Sequence, residues 1–190
     1  ATSGVFGVGK GVYSMGKSPG FVDSVQCGLY QKDVFREVGL FDEVLQFGED
    51  EEINWRIRKA GYKIFSSPDT RFYYYSRTSF TALFKQYYNY GRLRVQVIRK
   101  HPDFFRPKHA IPPAFVFCLL ITALVGTFNQ TALIAFIGLL SFYLVVSAAM
   151  SAAMSATVGW HYLFLIPIGF ATLHFGYGIG FLLGIHKVYF

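Results

Sequence analysis

The sequence predicts a mixed α/β unit followed by a basic amphipathic helix and three membrane-spanning helices. Three observations carry that prediction. Positions 109 to 186 hold no Lys, Arg, Asp or Glu, a run that a water-facing domain would interrupt with charged surface. All 11 acids and all but one of the 18 Lys and Arg residues lie ahead of it. Within that polar part, short apolar runs bounded by Gly alternate in period between strand and helix.

The first element, residues 1–78, balances its basic and acidic side chains. Gln31 to Val38 is expected to form a helix closed by Gly39, and Glu51 to Ala60 a second closed by Gly61, because Gly accepts the left-handed turn that ends a helix. Strands are expected around Phe21–Val25, Tyr62–Ser66 and Arg71–Tyr75. A complete nucleotide-binding α/β domain usually needs about 100 residues or more, so further sequence is expected upstream. The opening ATSGVFGVGKG lacks the basic and apolar regions of a signal peptide. Phe6 to Gly11 lacks the spacing of a phosphate-binding loop.

Residues 79–108 form the second element. Seven basic residues stand there against the single acid Asp103, and with the balanced part before them they account for all of the net charge of +7 except the one contributed by Lys187. Ser79 is placed to cap a helix on which Phe80, Leu83, Phe84, Tyr87, Gly91, Val95 and Ile98 share a face, with Lys85, Arg92, Arg99 and Lys100 largely off it. Such a helix is expected to lie on a membrane surface, its cations meeting anionic lipid headgroups on the cytoplasmic side. Membrane lipids are thus expected partners. Nucleic acid is not, because residues 1–78 supply no second basic face.

Residues 109–190 form the third element. Spans are expected at about 111–128, 131–152 and 160–185, each near the 20 residues or so that a bilayer core requires. Asn129-Gln130 is short enough only for a tight hairpin, and its sequon has little room for a glycan. Gly176, Gly180 and Gly184 place small residues on one face of the third span for close approach of another helix. His174 in the same span is expected to hydrogen bond to a neighbouring helix. Three crossings would put the carboxyl terminus on the side opposite the basic segment. Cys27 and Cys118 show neither a disulfide framework nor metal-ligand spacing.

Glu49-Asp50-Glu51-Glu52 opens a helix whose later turns carry Arg56, Arg58 and Lys59. Helix electrostatics alone favour acids at the start and cations at the end. Four adjacent carboxylates also repel one another, and a carboxylate held at a helix start beside a cleft is suited to general-base work. Spacing leaves both readings open.

The string GEDEEINWRIRKAGYKI resembles the acidic motif of family 2 glycosyltransferases, in which an Asp opens a helix that ends at Ala-Gly-Tyr or its like. Val22-Asp23-Ser24-Val25, the run from Phe35 to Glu43, Pro68 to Arg71, Phe72 to Tyr75, and Gln86 to Gly91 are similar to further segments of the same enzymes. The resemblance is strongest to the subgroup that includes succinoglycan-biosynthesis glucosyltransferases. It covers residues 4 to 108 closely and the spans loosely.

The resemblance implies the acceptor half of a GT-A-type nucleotide-sugar transferase domain. It implies inverting transfer from a nucleotide-sugar donor to a saccharide or lipid-linked acceptor at the plasma membrane, with Asp50 as general base. Glu49, Glu52, Trp55 and Arg56 would then contact the acceptor. Gln86, Asn89, Tyr90 and Arg92 would contact the donor diphosphate, with Arg94 as another possible source of charge there. Asn89 and Tyr90 stand where processive relatives carry Arg and Trp, a departure that speaks against processive synthesis. A divalent cation, Mg or Mn, is implied for the intact enzyme through an Asp-x-Asp motif that this chain does not contain, and none is expected to bind here. The residues by themselves also allow a non-catalytic membrane component of a polysaccharide assembly or export complex.

Overall fold

A computed structural model of the chain describes residues 19–45, 48–69 and 77–189, with side chains to Lys187. The strand expected at Arg71–Tyr75, the Phe6–Gly11 turn and the aromatic run Phe72–Tyr75 lie outside those residues. The described part is mostly helical, with one small two-stranded sheet.

β1 (Gly20–Val22) and β2 (Ile64–Ser66) pair antiparallel, Phe21 opposite Phe65. Both are shorter than the expected strands. α1 (Lys32–Val38) ends at Gly39, whose φ of 81° only glycine adopts without strain. α2 (Glu49–Lys59) begins two residues earlier than expected, because Gly48 turns left-handed ahead of it and takes all four acids into the first turn. Val34, Ile53, Ile57 and Ile64 form the core under these elements.

α3 (Phe80–Lys100) is capped by Ser79, whose Oγ accepts the Ala82 N–H at 3.2 Å. Two 3₁₀ turns, Pro102–Phe104 and Pro107–His109, lead into α4 (Ile111–Gly126). α5 (Gln130–Val158) follows, with Asn129 Oδ1 accepting the Ala132 N–H at 3.0 Å, so the sequon asparagine serves as a helix cap. A third 3₁₀ turn, Trp160–Tyr162, precedes α6 (Leu165–Tyr189).

Among the described residues, two helices are long and apolar enough to cross a membrane: Gln130–Val158 and Leu165–Lys187. The first expected span differs. α4 has 16 residues, about 24 Å at the α-helical rise, against a hydrocarbon core of about 30 Å. α4 and α5 form the expected hairpin, Gly126 meeting Leu133 and the Phe115 ring stacking on Tyr143 at 4.8 Å. His174 finds its partner on α5, where the Tyr143 hydroxyl lies 3.0 Å from Nδ1.

The glycine face of α6 meets α3. The carbonyls of Phe84, Tyr88 and Arg92 lie against Gly176, Gly180 and Gly184. Both series step by four, so the two helices run parallel. A Cβ at Gly180 would strike the Tyr88 carbonyl, and one at Gly91 the Tyr177 carbonyl. α3 is therefore clasped by α6 rather than resting alone on a surface. The carboxyl-terminal turns of α6 accordingly lie beside the half of α3 that carries the α/β unit.

Candidate functional site

Successive helical residues point about 100° apart, so four acids in a row face four directions. The first turn of α2 shows this. Asp50 faces the segment after β1 and takes a hydrogen bond from the Cys27 N–H. Glu51 faces α3, where Arg94 Nη2 lies 2.7 Å from its carboxylate. Glu52 turns inward and is wholly buried. Glu49 holds a buried Oε2 without a hydrogen-bond partner. Because the acids diverge, the repulsion expected of an acidic run acts mainly between neighbours Glu49 and Asp50.

The Asp50 carboxyl is pushed up from the ordinary Asp value, by burial first and by Glu49 second, against the opposing Cys27 hydrogen bond. Cys27 adopts φ 50°, a left-handed backbone unusual for a side-chain-bearing residue. That turn belongs to a segment fastened to α2 by Asn54, one helical turn after Asp50 and fully buried. Asn54 Nδ2 donates to Ser24 Oγ at 2.9 Å and to the Val25 carbonyl at 2.7 Å, while Oδ1 accepts from the Tyr30 hydroxyl at 3.1 Å. Three of its four bonding directions are spent on the segment that carries Cys27. Tyr30 also feels Asp50: its phenol is pushed up first by burial and then by that carboxylate.

Glu52 and Arg56 do a different task from the acceptor contact that the resemblance assigns to them. Arg56 Nε lies 2.9 and 3.0 Å from the two Glu52 oxygens, and its Nη groups donate to the carbonyls of Val38, Gly39 and Leu40 at the end of α1. His101 Nε2 closes on Glu52 Oε1 at 2.7 Å from the end of α3. This buried cluster binds α1, α2 and α3 together and leaves Glu52 no surface for a ligand. Trp55 likewise packs on His101, ring centroids 4.6 Å apart, beside Phe104 and beneath Lys59 Nζ.

On α3, Gln86 Nε2 donates to the Tyr90 hydroxyl at 2.9 Å, and Tyr90 meets the Tyr87 ring edge-on at 5.5 Å. Asn89 is half-buried. Arg92 is half-buried too, with a buried Nε that has no hydrogen-bond partner. Arg94, the alternative source of charge, is taken up by Glu51. Gln86 stands eight residues before Arg94, about 12 Å along the helix. Two open grooves form on the described surface, about 290 Å³ beside Arg56 and Lys59 and about 500 Å³ beside Phe21 and Lys63. Neither is lined by Asp50.

The sequence reading did not single out Asn54, Tyr30 or His109, and it took Glu51 only as part of an acidic run and Arg94 as a source of charge for the diphosphate. His109 is buried against Phe104, and Arg106 N–H points at its Nδ1 at 3.2 Å. Burial first, then the Arg94 charge, push its imidazole down to about 4. Among the described residues no cluster of three or more His, Cys, Asp or Glu could hold a metal ion. The diverging acids explain why: Glu51 and Glu52 are neutralised by cations, and Asp50 and Glu49 alone do not make a coordination set. A divalent cation does not fit these residues.

The described residues thus form a mostly helical protein in which two helices are long and apolar enough to cross a membrane, and a small two-stranded sheet stands beside a helix that begins with a half-buried carboxylate of raised proton affinity. Comparison with known proteins points further. No family model and no solved structure matches the chain. It is 40% identical over 73 residues to the succinoglycan biosynthesis protein ExoA of Rhizobium meliloti (strain 1021), covering 38% of this chain and 22% of that protein. It is 32% identical over 107 residues to a dolichyl N-acetyl-alpha-D-glucosaminyl phosphate 3-beta-D-2,3-diacetamido-2,3-dideoxy-beta-D-glucuronosyltransferase of Methanococcus voltae, covering 56% of this chain and 33% of that protein. The aligned stretches are thus between a fifth and a third of those relatives' length. These relatives support the resemblance to family 2 glycosyltransferases.

Proposed function

We propose that the chain is the acceptor-side part of a membrane-bound inverting glycosyltransferase acting in cell-surface or exopolysaccharide synthesis, with Asp50 as its base. The observation that carries this reading is the surroundings of Asp50: burial and Glu49 raise its proton affinity while the Cys27 N–H and the start of α2 hold it in place. A general base works best when its pKa approaches the working pH. The acceptor hydroxyl oxygen would attack the anomeric carbon of the sugar as its proton passes to the Asp50 carboxylate. The bond to the nucleoside diphosphate breaks in the same displacement, and the diphosphate departs with the electron pair.

Gln86, Asn89, Tyr90 and Arg92 are proposed to meet that diphosphate along α3, and Arg92, whose Nε is not engaged, brings the positive charge. Glu49 remains a proposed acceptor contact, since its free Oε2 adjoins Asp50. The donor-binding half and its divalent cation are proposed to belong to sequence outside this chain. α4 is proposed to cross the bilayer with α5 and α6, its 3₁₀ entry and Thr127-Phe128 exit extending it, with the α/β unit on the cytoplasmic face. The acceptor is then a saccharide or lipid-linked saccharide presented at that surface.

The test is Asp50→Asn in the full-length protein. Transfer is expected to vanish while nucleotide-sugar binding, read by equilibrium dialysis, stays within about threefold, because the base acts only in the transition state. Retention of more than about a tenth of the rate, under ~1.4 kcal/mol of barrier, would remove Asp50 from the role and favour a non-catalytic membrane component. The raised carboxyl adds a sign: activity is lost as pH falls through a value above the ordinary Asp figure of about 3.9, and an acid limb at or below it would contradict the assignment.

A further inference from the structure

The base neighbourhood contains an ion pair that the transfer chemistry does not use. Glu51 adjoins Asp50 in the first turn of α2, and its carboxylate meets Arg94 Nη2 at 2.7 Å. Arg94 is mostly buried on α3, its guanidinium 5.1 Å above the Phe104 ring. Gly91, one turn earlier on α3, has the backbone carbonyl of Tyr177 of α6 against it. Burial works to raise the Glu51 carboxyl, and the Arg94 guanidinium outweighs it and holds the carboxyl below the usual range, with smaller help from His109 and Lys108. The pair is ionised together.

The backbone around this pair is fixed at both ends. α3 and α6 are locked by the contacts of Gly91 with Tyr177 and of Gly180 with Tyr88, so Arg94 rises from a helix that cannot slide against α6. Glu52, the next residue, ties the same turn of α2 to His101 at the end of α3. The first turn of α2 is therefore held on α3 by two adjacent carboxylates. α3 in turn meets α6 at Gly91 and Gly180.

We infer that Arg94 is a positioning residue, which with Glu51 fixes the first turn of α2, and so the Asp50 carboxylate, on α3 and thereby, through the α3–α6 backbone contacts, against the membrane-spanning helix α6. The inference rests on the reading of Asp50 as base. It assigns Arg94 a duty other than meeting the donor diphosphate. A displacement of the base by about 1 Å is enough to cost on the order of a hundredfold in rate, so a pair at this place controls turnover without touching substrate.

The experiment uses the full-length protein in phosphatidylcholine–phosphatidylglycerol vesicles, with uridine diphosphate sugars as donor probes, extracted membrane lipid as acceptor, and release of uridine diphosphate as the readout. Arg94→Met is expected to lower kcat about 30-fold or more while the donor KM stays within about threefold. Glu51→Gln should do the same. The double variant should lose no more than either single one, as expected of residues acting as a unit, and Arg94→Lys should recover part of the loss. A change chiefly in KM would return Arg94 to diphosphate binding, and losses that multiply would dissolve the pair; either overturns the inference.

Hydrogen exchange supplies a readout independent of turnover. In Arg94→Met, a peptide covering Glu49 to Arg58 should exchange about tenfold faster while peptides of α5 remain as in the parent. Unchanged exchange in α2 overturns the inference even if kcat falls. If Arg94→Met does not accumulate, Arg94→Lys and Glu51→Gln carry the same comparison. Should Asp50→Asn stay active, the reading of the base fails while exchange still decides whether α2 hangs on α6. Should Asp50→Asn be inactive and Arg94→Met fully active, only the positioning role is lost.

Discussion

The α/β unit and the helical tail are held together by opposite means. Around α2, position is set by directed polar bonds: Arg56 grips two Glu52 oxygens and three carbonyls at the end of α1, and Asn54 ties down the Ser24–Tyr30 loop. In the tail it is set by shape, glycine against carbonyl, with Tyr143 to His174 and Ser151 to Leu163 as polar links between elements. Directed bonds fix a side chain to within a fraction of an ångström, as proton transfer requires. Glycine contacts fix helix spacing, which suffices for a frame.

That contrast breaks first at Glu52. Replacing it with Ala leaves Arg56 and His101 facing a buried hollow without their anion, and removing one member of a buried pair costs about 3–5 kcal/mol. Chemical denaturation of the full-length protein should show a loss of that order, the largest of the set. A loss below about 1 kcal/mol would mean that the cluster merely decorates the fold. The pH dependence sharpens the point. Burial works to raise Glu52, but Arg56, His101 and Lys100 outweigh it and lower its carboxyl. A lowered carboxyl stabilises the folded state above the ordinary Glu value of about 4.3 and loses that contribution as pH falls through the folded value. Wild type should therefore weaken more steeply than Glu52→Gln below about pH 4.3.

A smaller effect is expected where shape rules. Gly180→Ala drives a methyl group into the Tyr88 carbonyl, and overfilling a close contact typically costs about 1–3 kcal/mol. The same change at Gly138, where a Cβ meets nothing, should be neutral or mildly stabilising by about 1 kcal/mol at most, Ala being the better helix former. Thermal unfolding in detergent separates the two. Equal behaviour would mean that α3 and α6 are not in the contact described.

The same division explains what the sequence made legible. Helix ends announced themselves through Gly39 and Ser79, and the charge-free run through its composition, because these depend on neighbours in the chain. The small-residue face of α6 was readable as an interface, but its partner was not. The apolar spacing of α3 suits a lipid surface and a second helix equally well, and only the backbone approach at Gly91 decides between them. Asp50 stood out as one of four acids, whereas the sorting of those acids depended on Arg94, His101 and Cys27, which come from distant segments. The packing of Trp55 on Phe104 and the bonds of Arg56 to the carbonyls at the end of α1 were unreadable for the same reason, since such contacts leave no local trace.

The smallest effect tests whether a polar bond in the tail matters as one does around α2. The Tyr143 hydroxyl and His174 Nδ1 lie 3.0 Å apart, yet Phe115 stacks on the Tyr143 ring and Phe170 on His174. Tyr143→Phe keeps those ring contacts and removes only the hydroxyl. Hydrogen bonds between membrane helices average about 0.6 kcal/mol, so the variant should lose about that much and retain its helix packing. His174→Ala also removes the stacked ring and should lose more. If Tyr143→Phe instead cost about 3 kcal/mol, as a buried polar partner does around α2, directed bonding rather than shape would be holding the tail, and the distinction between the two regions would collapse.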